Sequence, residues 1–362
     1  MAADCDVSPT FCNANKVYMK YCDGDSFSGA RDEPMVVEGG AVSPIYFRGH
    51  AILMETLETL VSNTTFGMGT ATELVLSGCS AGGLATYLHV DLVGEWAEAK
   101  LPKLEKYGAI PVSGFFLEHA TVTGPEHAVY PNQMAKVFEM ANASRGVDQG
   151  CIAHYKAADP SLLWRCNFAH GSYAFTDRPV FSLDSSFDSW QSSNVFISPY
   201  YDADTAGFND CADSLQCDAT QAFAVNAYQG DFVTQLTAWS NTLASGASGK
   251  NGAFIYQCFT HCAGSDDGCF KGFTIDGVTM AGAVDQWWGE TLAPGSSDAK
   301  GRVYIDGLLA PPRFDAQADA THGGEPQGSA DRTLDEKTRL AGAGRSGIKA
   351  TSGGMRYTNP SC

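Results

Sequence analysis

The 362-residue chain carries 41 acidic against 23 basic side chains, a formal net charge of −18 at pH 7, and is 44% hydrophobic. That charge repels nucleic acid and anionic membrane surfaces and argues against both as partners, while the apolar fraction suffices for one large core. No apolar run of about 18 residues occurs, so no membrane span is expected, and Met1 to Lys20 holds no apolar core of a signal peptide.

In chain order, Tyr46 to Val61 reads as a helix with Leu53, Leu57, Leu60 and Val61 on one face. The apolar run Leu74-Val75-Leu76 reads as a strand, and Leu84 to Leu88 as the start of a helix. Between them lies Gly78-Cys79-Ser80-Ala81-Gly82-Gly83. Gly108 to Val112 is a strand candidate, Gln133 to Met140 a helix, Pro179 to Leu183 and Gly252 to Tyr256 short buried strands, and Val303 to Ile305 a last strand. Ser245 to Gly252 and Gly295 to Gly301 are Gly/Ser-rich loops. From about Phe314 the composition turns to Ala, Gly, Asp, Arg and Thr, so residues 1–313 are expected as one domain. Residues 314–362 are expected as an irregular tail, tethered at Cys362 if that cysteine is paired.

The strand, G-x-S-x-G turn and helix form the context of a nucleophile elbow, in which small residues let a sharp turn lift a serine above the sheet. Ser80 is the candidate nucleophile. The N–H of Ala81, at the start of a helix, is a candidate donor to a developing oxyanion. A serine needs a base and the base an orienting carboxylate. His50 and His89 sit in helix-like stretches; His119, His127, His154 and His170 follow no clear strand, and His322 lies in the polar tail. His261 is the candidate base, because it falls in a loop directly after the buried strand Gly252 to Tyr256. For the acid, Asp184 and Asp188 follow the strand ending at Leu183, and Asp202 and Asp204 are further options. Whichever acts, the order Ser, Asp, His is that of α/β-hydrolases.

Twelve cysteines point to disulfides and an oxidising compartment. Cys151 and Cys166 bracket one loop, Cys211 and Cys217 a shorter one, and Cys258, Cys262 and Cys269 crowd the loop of His261. Cys79 is expected to be a small buried residue rather than half of a bridge. No C-x-x-C pair occurs, and a ligand role would use up His261, so no zinc site is expected; attack by a serine activated by histidine needs neither a metal nor an organic cofactor. Asn63-Thr64-Thr65 and Asn142-Ala143-Ser144 fit the glycosylation sequon.

Several segments together resemble the plant-type pectin acetylesterases and their relatives, the Notum carboxylesterases. Tyr21 to Gly29 is similar to "YCDGASFSG", Tyr46 to Gly49 to "YFRG", Gly78 to Gly83 to "GCSAGG" and Gly114 to Leu117 to "GFFLD". Phe187 to Gln191 is similar to "YDSWQ", Cys258 to Cys262 to "CYAHC" and Asn359 to Cys362 to "NPTC". The resemblance implies an α/β-hydrolase-like fold, a mainly parallel sheet flanked by helices. It also implies Ser80 as nucleophile, His261 as base, Asp188 as the orienting acid, and Phe115 and Phe116 near the acyl pocket. The implied activity is a serine esterase removing O-acetyl groups from a cell-wall or extracellular polysaccharide. The implied form is a secreted monomer, with a Notum-like lipid-ester carboxylesterase or a catalytically impaired binding protein as alternatives. Two departures stand out. The family's glycine-rich "GGGWC" oxyanion loop, upstream of "YCDGASFSG", has no counterpart, Gly39-Gly40 lying on the wrong side, so the chain is expected to be incomplete at its N-terminus, without the early strands and that loop. Val112-Ser113 replaces a pair in which the family carries an acidic residue. A polygalacturonate substrate would also need a local basic patch to offset the charge of −18.

Overall fold

Alternation along the central strands sets the architecture of the computed structural model, which describes residues 4–40, 43–124, 126–197, 208, 217–240, 249–296 and 300–306. Strand β1 (Glu73–Cys79) runs parallel to β2 (Lys106–Val112), which neighbours β3 (Phe181–Ser185), then β4 (Gly252–Tyr256) and, at the far edge, Val303–Ile305. All of these pairings are parallel, so each return passes through helical chain over a face of the sheet, and both faces are covered. Ala109, Val180, Ala253 and Ile255 point to one face, where helix α2 (Ala81–Lys100) supplies Leu84, Tyr87 and Leu88 and helix α7 (Ala219–Ser240) supplies Phe232 and Leu236. Ile110, Phe181, Leu183 and Phe254 point to the other, against Met280, Trp287 and Trp288.

The remaining helices in order are α1 (Gly49–Ser62) before β1, then α3 (Val129–Met140), α4 (Gln149–Ala158) and α5 (Ala169–Tyr173) between β2 and β3. The short α6 (Ser189–Gln191) and α7 (Ala219–Ser240) lie between β3 and β4, and α8 (Asp267–Gly272) and α9 (Met280–Gln286) follow β4. Leu53 and Leu57 of α1 pack on Val93, Trp96 and Ala97 of α2.

Two boundaries differ from the sequence expectation for tertiary reasons. Helix α1 starts at Gly49 rather than Tyr46, because the backbone of Phe47 and Gly49 is engaged elsewhere: the Phe47 carbonyl accepts from Arg31 N at 2.9 Å while Gly49 N donates to Asp23 at 3.0 Å. Strand β3 runs on through Asp184 and Ser185, which pair with Ile255 and Tyr256. No helix among the described residues is long and apolar enough to cross a membrane. The expected tail at 314–362 lies outside the described residues.

Candidate active site

Ser80 occupies the turn between β1 and α2 with φ 60° and ψ −122°, a left-handed geometry that costs a non-glycine residue roughly 1–3 kcal/mol. Its neighbours allow the turn. A Cβ on Gly78 would fall 2.3 Å from the Gly82 carbonyl oxygen, and one on Gly83 would fall 2.4 Å from that of Val112. Ser80 N donates to Val112 O at 3.0 Å, and Ser80 O receives Leu84 N at 2.9 Å, so the backbone is pinned to the end of β2 and to the first turn of the helix. Ser80 is the N-cap of α2, yet its hydroxyl does not cap the helix. Ala81 is the first residue of α2, so its N–H belongs to the positive end of a 20-residue helix.

Asp188 follows β3 and caps α6, its Oδ1 accepting from Gln191 N at 2.9 Å. Its Oδ2 receives a hydrogen bond from His261 Nδ1 at 2.7 Å, and the carboxylate is 2% exposed. An acceptor at Nδ1 fixes the neutral imidazole in the tautomer that leaves Nε2 as a lone pair. Nε2 is buried and has no hydrogen-bond partner among the described residues. The loop carrying His261 is tied to the Asp188 turn by Ser189 N donating to Thr260 O at 3.3 Å. Ser80, Asp188 and His261 thus follow β1, β3 and β4, all at the C-terminal edge of one parallel sheet, where sites in such folds collect.

Contrary to the sequence expectation, Cys79 is not a lone buried residue. It is bridged to Cys262, joining the residue before Ser80 to the residue after His261. Compact packing does ask for a small side chain here, but the position also faces Cys262 across the sheet edge, a proximity no local spacing reveals. The expected Cys151–Cys166 bridge is present, with a further Cys5–Cys12 bridge. Cys217 and Cys258 are disulfide-bonded, and Cys22 and Cys269 are unbridged. Cys211, Cys362, Asp202, Asp204 and His322 lie outside the described residues.

Of the two expected pocket phenylalanines, Phe116 sits beside the histidine, its ring centroid 6.4 Å from that of His261 and 4.9 Å from Trp190. Phe115 packs instead against Tyr87 and Phe232 in the core. Trp190, which the sequence reading passed over, stacks over His261 at 6.3 Å; an aromatic residue two positions after the acid was the available signal. Asp184, the alternative acid on sequence grounds, lies within β3, 1% exposed, accepting from Phe115 N at 3.4 Å. Burial pushes its carboxyl up to about 7; the nearby Asp188 adds to this, and the amides of Phe115 and Gly114 oppose it. Ser113, with φ 46°, accepts at its hydroxyl from Cys262 N at 3.0 Å, a support that no sequence pattern announces.

A second loop, Tyr21 to Gly29, is organised by buried Asp23. Its two oxygens accept from the backbone N–H groups of Asp25, Phe27, Gly29 and Gly49 at 3.0–3.2 Å. The other histidines have separate engagements. His89 is buried in α2 with Nδ1 2.7 Å from Ala85 O and is held down to about 4 by that burial; its ring lies 6.5 Å from that of His50. His170 meets Glu118 at 3.1 Å, His119 packs on Tyr228, His127 contacts Thr123 and His154 packs on Phe175. Among the described residues no group of three His, Cys, Asp or Glu could hold a metal ion.

The sequence pattern of the family Pectinacetylesterase matches residues 1–306. Pectin acetylesterase 11 of Arabidopsis thaliana is 29% identical over 289 residues, covering 78% of this chain and 66% of its own length. Pectin acetylesterase 5 of the same plant is 28% identical, covering 80% and 62%. The chain therefore spans less than two thirds of the length of these relatives. Palmitoleoyl-protein carboxylesterase notum1 of Xenopus laevis is 28% identical over 204 residues, covering 53% of this chain and 38% of its own. Among solved structures, the Wnt deacylase Notum from Drosophila superposes with a TM-score of 0.63 at 20% identity, over 84% of this chain and 75% of that one. This likeness shows a shared α/β-hydrolase-like fold.

Proposed function

Since the chain belongs to the pectinacetylesterase family, we propose that it is a serine carboxylesterase removing O-acetyl groups from an extracellular or cell-wall polysaccharide. The observation that carries this reading is the buried Asp188–His261 pair at 2.7 Å, with Nε2 left unpartnered at the sheet edge from which Ser80 rises.

In the proposed reaction the Ser80 hydroxyl, rotated to within hydrogen-bond reach of His261 Nε2, attacks the ester carbonyl as the imidazole takes its proton. Asp188 holds the ring in the required tautomer and stabilises the imidazolium. The Ala81 N–H donates to the oxygen on which charge develops, supported by the α2 dipole. Collapse of the tetrahedral intermediate returns the proton to the leaving sugar hydroxyl and leaves an acetyl-Ser80 ester. Water, deprotonated by His261, then releases acetate. The disulfides fit a secreted protein. The rings of Phe116 and Trp190 flank His261.

A fluorophosphonate probe and a series of nitrophenyl esters test the proposal. Wild type is expected to be labelled at Ser80 and to favour acetate. Ser80→Ala is expected to lose both labelling and turnover, by at least about 10³-fold. Efficient turnover of octanoate or longer chains would instead favour a lipid-ester carboxylesterase. Folded protein that is neither labelled nor active would favour a non-catalytic binding protein.

A further inference from the structure

Ser80 follows β1 and His261 follows β4, and the sheet order places β2 and β3 between these strands. At about 4.8 Å per strand, the roots of the two loops are some 14 Å apart across the sheet, so the ladder of the sheet does not by itself bring a hydroxyl on one to an imidazole on the other. Asp188 and His261, by contrast, follow neighbouring strands and are joined by their own hydrogen bond and by the Ser189–Thr260 backbone contact.

The loop after β4 crosses back toward β2, where a Cβ on Gly264 would meet the Val112 and Leu183 side chains, and the remaining distance is closed covalently. Cys79 and Cys262, 183 residues apart in sequence, are bridged with their Cα atoms 5.8 Å apart. Each cysteine is the immediate neighbour of one of the two reacting residues, and the backbone is in the left-handed region at Ser80 (φ 60°) and at Cys262 (φ 67°). Both ends also share one anchor at the tip of β2. Val112 O holds Ser80 N at 3.0 Å, and Ser113 Oγ holds Cys262 N at 3.0 Å. Neither the Cys5–Cys12 nor the Cys151–Cys166 bridge involves a residue next to Ser80, Asp188 or His261.

Resting on the esterase reading above, we infer that the Cys79–Cys262 disulfide is a positioning element that sets the approach of Ser80 to His261, and that without it the Asp188–His261 pair persists while proton transfer from Ser80 slows. The bridge acts through the backbone and touches no substrate, so its loss belongs in kcat rather than KM. A displacement on the scale of an ångström between reacting groups costs up to about 100-fold in rate.

The test is the double variant Cys79→Ser/Cys262→Ser, assayed with nitrophenyl acetate well below its unfolding midpoint and checked for folding by circular dichroism. Cys151→Ser/Cys166→Ser serves as control. The expected result is a 10- to 100-fold fall in kcat and in the rate of fluorophosphonate labelling, with KM within about twofold of wild type. The control is expected to lose thermal stability and keep its kcat. A second measurement covers a double variant that does not fold: wild type is partly reduced with dithiothreitol, which gives up two electrons and two protons to open the S–S bond to two thiols and itself closes to a cyclic disulfide. The freed thiols are then alkylated, and the open bridges are identified by mass spectrometry. Activity is expected to fall in step with alkylation of Cys79 and Cys262 and not with alkylation of the disulfide-bonded Cys258 in the same loop. Folded protein that keeps wild-type kcat with this bridge open, by either route, overturns the inference. Wild type that neither hydrolyses esters nor reacts with the probe would overturn the esterase reading itself, and the two failures are distinct.

Discussion

Asp184 and Asp188 are four residues apart, and only the backbone tells them apart. Asp188 lies just past the strand, where its carboxylate caps a turn and meets His261; Asp184 is still in β3, buried among Asp188 and His261 beside it, Tyr256 on β4 and Tyr87 on α2. The folded protein keeps the Asp184 proton up to about pH 7, whereas an exposed aspartate loses it near 3.8. A carboxyl raised on folding adds stability that is fully present below the lower value and is lost as pH climbs through the upper one. Asp184→Asn retains an acceptor for Phe115 N and has no proton to lose. The variant is therefore expected to match wild type near pH 4 and to exceed it at pH 8 by up to about 4 kcal/mol. Urea midpoints at the two pH values check this, and parallel pH dependences would show that Asp184 does not titrate in this range. Asp25, buried against Asn167 and raised to about 7 by that burial, should contribute to the same slope.

At the level of elements, the β1–α2 turn was legible in the sequence because its requirements are local: a strand, three small residues and a helix fix where Ser80 must go. The two glycines after Ser80 are not equivalent, however. A Cβ on Gly82 meets nothing within 4 Å, while one on Gly83 meets the Val112 carbonyl at 2.4 Å and Gly114 at 2.9 Å. Gly82→Ala is expected to leave the melting temperature unchanged or slightly raised, since alanine is the better helix former. Gly83→Ala should destabilise by about 1–3 kcal/mol and displace the turn, with lost activity at temperatures where the fold survives. Calorimetry on the pair reads the difference, and equal effects would mean that α2 does not press on β2 as described. The His261 loop was legible for a similar reason, as a polar loop directly after a five-residue buried strand. The Cys79–Cys262 bridge and the Ser113 hydroxyl under Cys262 were not legible, because both depend on which strands end side by side, and that follows from the order of the sheet.

Across the whole molecule, the parallel sheet with its two covered faces explains the α/β pattern, but the charge of −18 bears on function at a longer range than any contact. If the polysaccharide is an acetylated polygalacturonate, protein and substrate repel each other before they touch, and the repulsion reaches about 30 Å at 0.01 M salt but only about 8 Å at 0.15 M. Screening should then raise kcat/KM for the polyanion several-fold between these salt concentrations, acting through encounter and KM. A neutral acetylated glycan or nitrophenyl acetate carries no such charge and should show little change, which separates screening from any salt effect on the catalytic groups. A kcat/KM for the polyanion that falls with salt would mean that a basic surface near the sheet edge dominates the field there. Equal indifference of all three substrates would show that the net charge of −18 does not govern the encounter, the field at the sheet edge then being close to neutral.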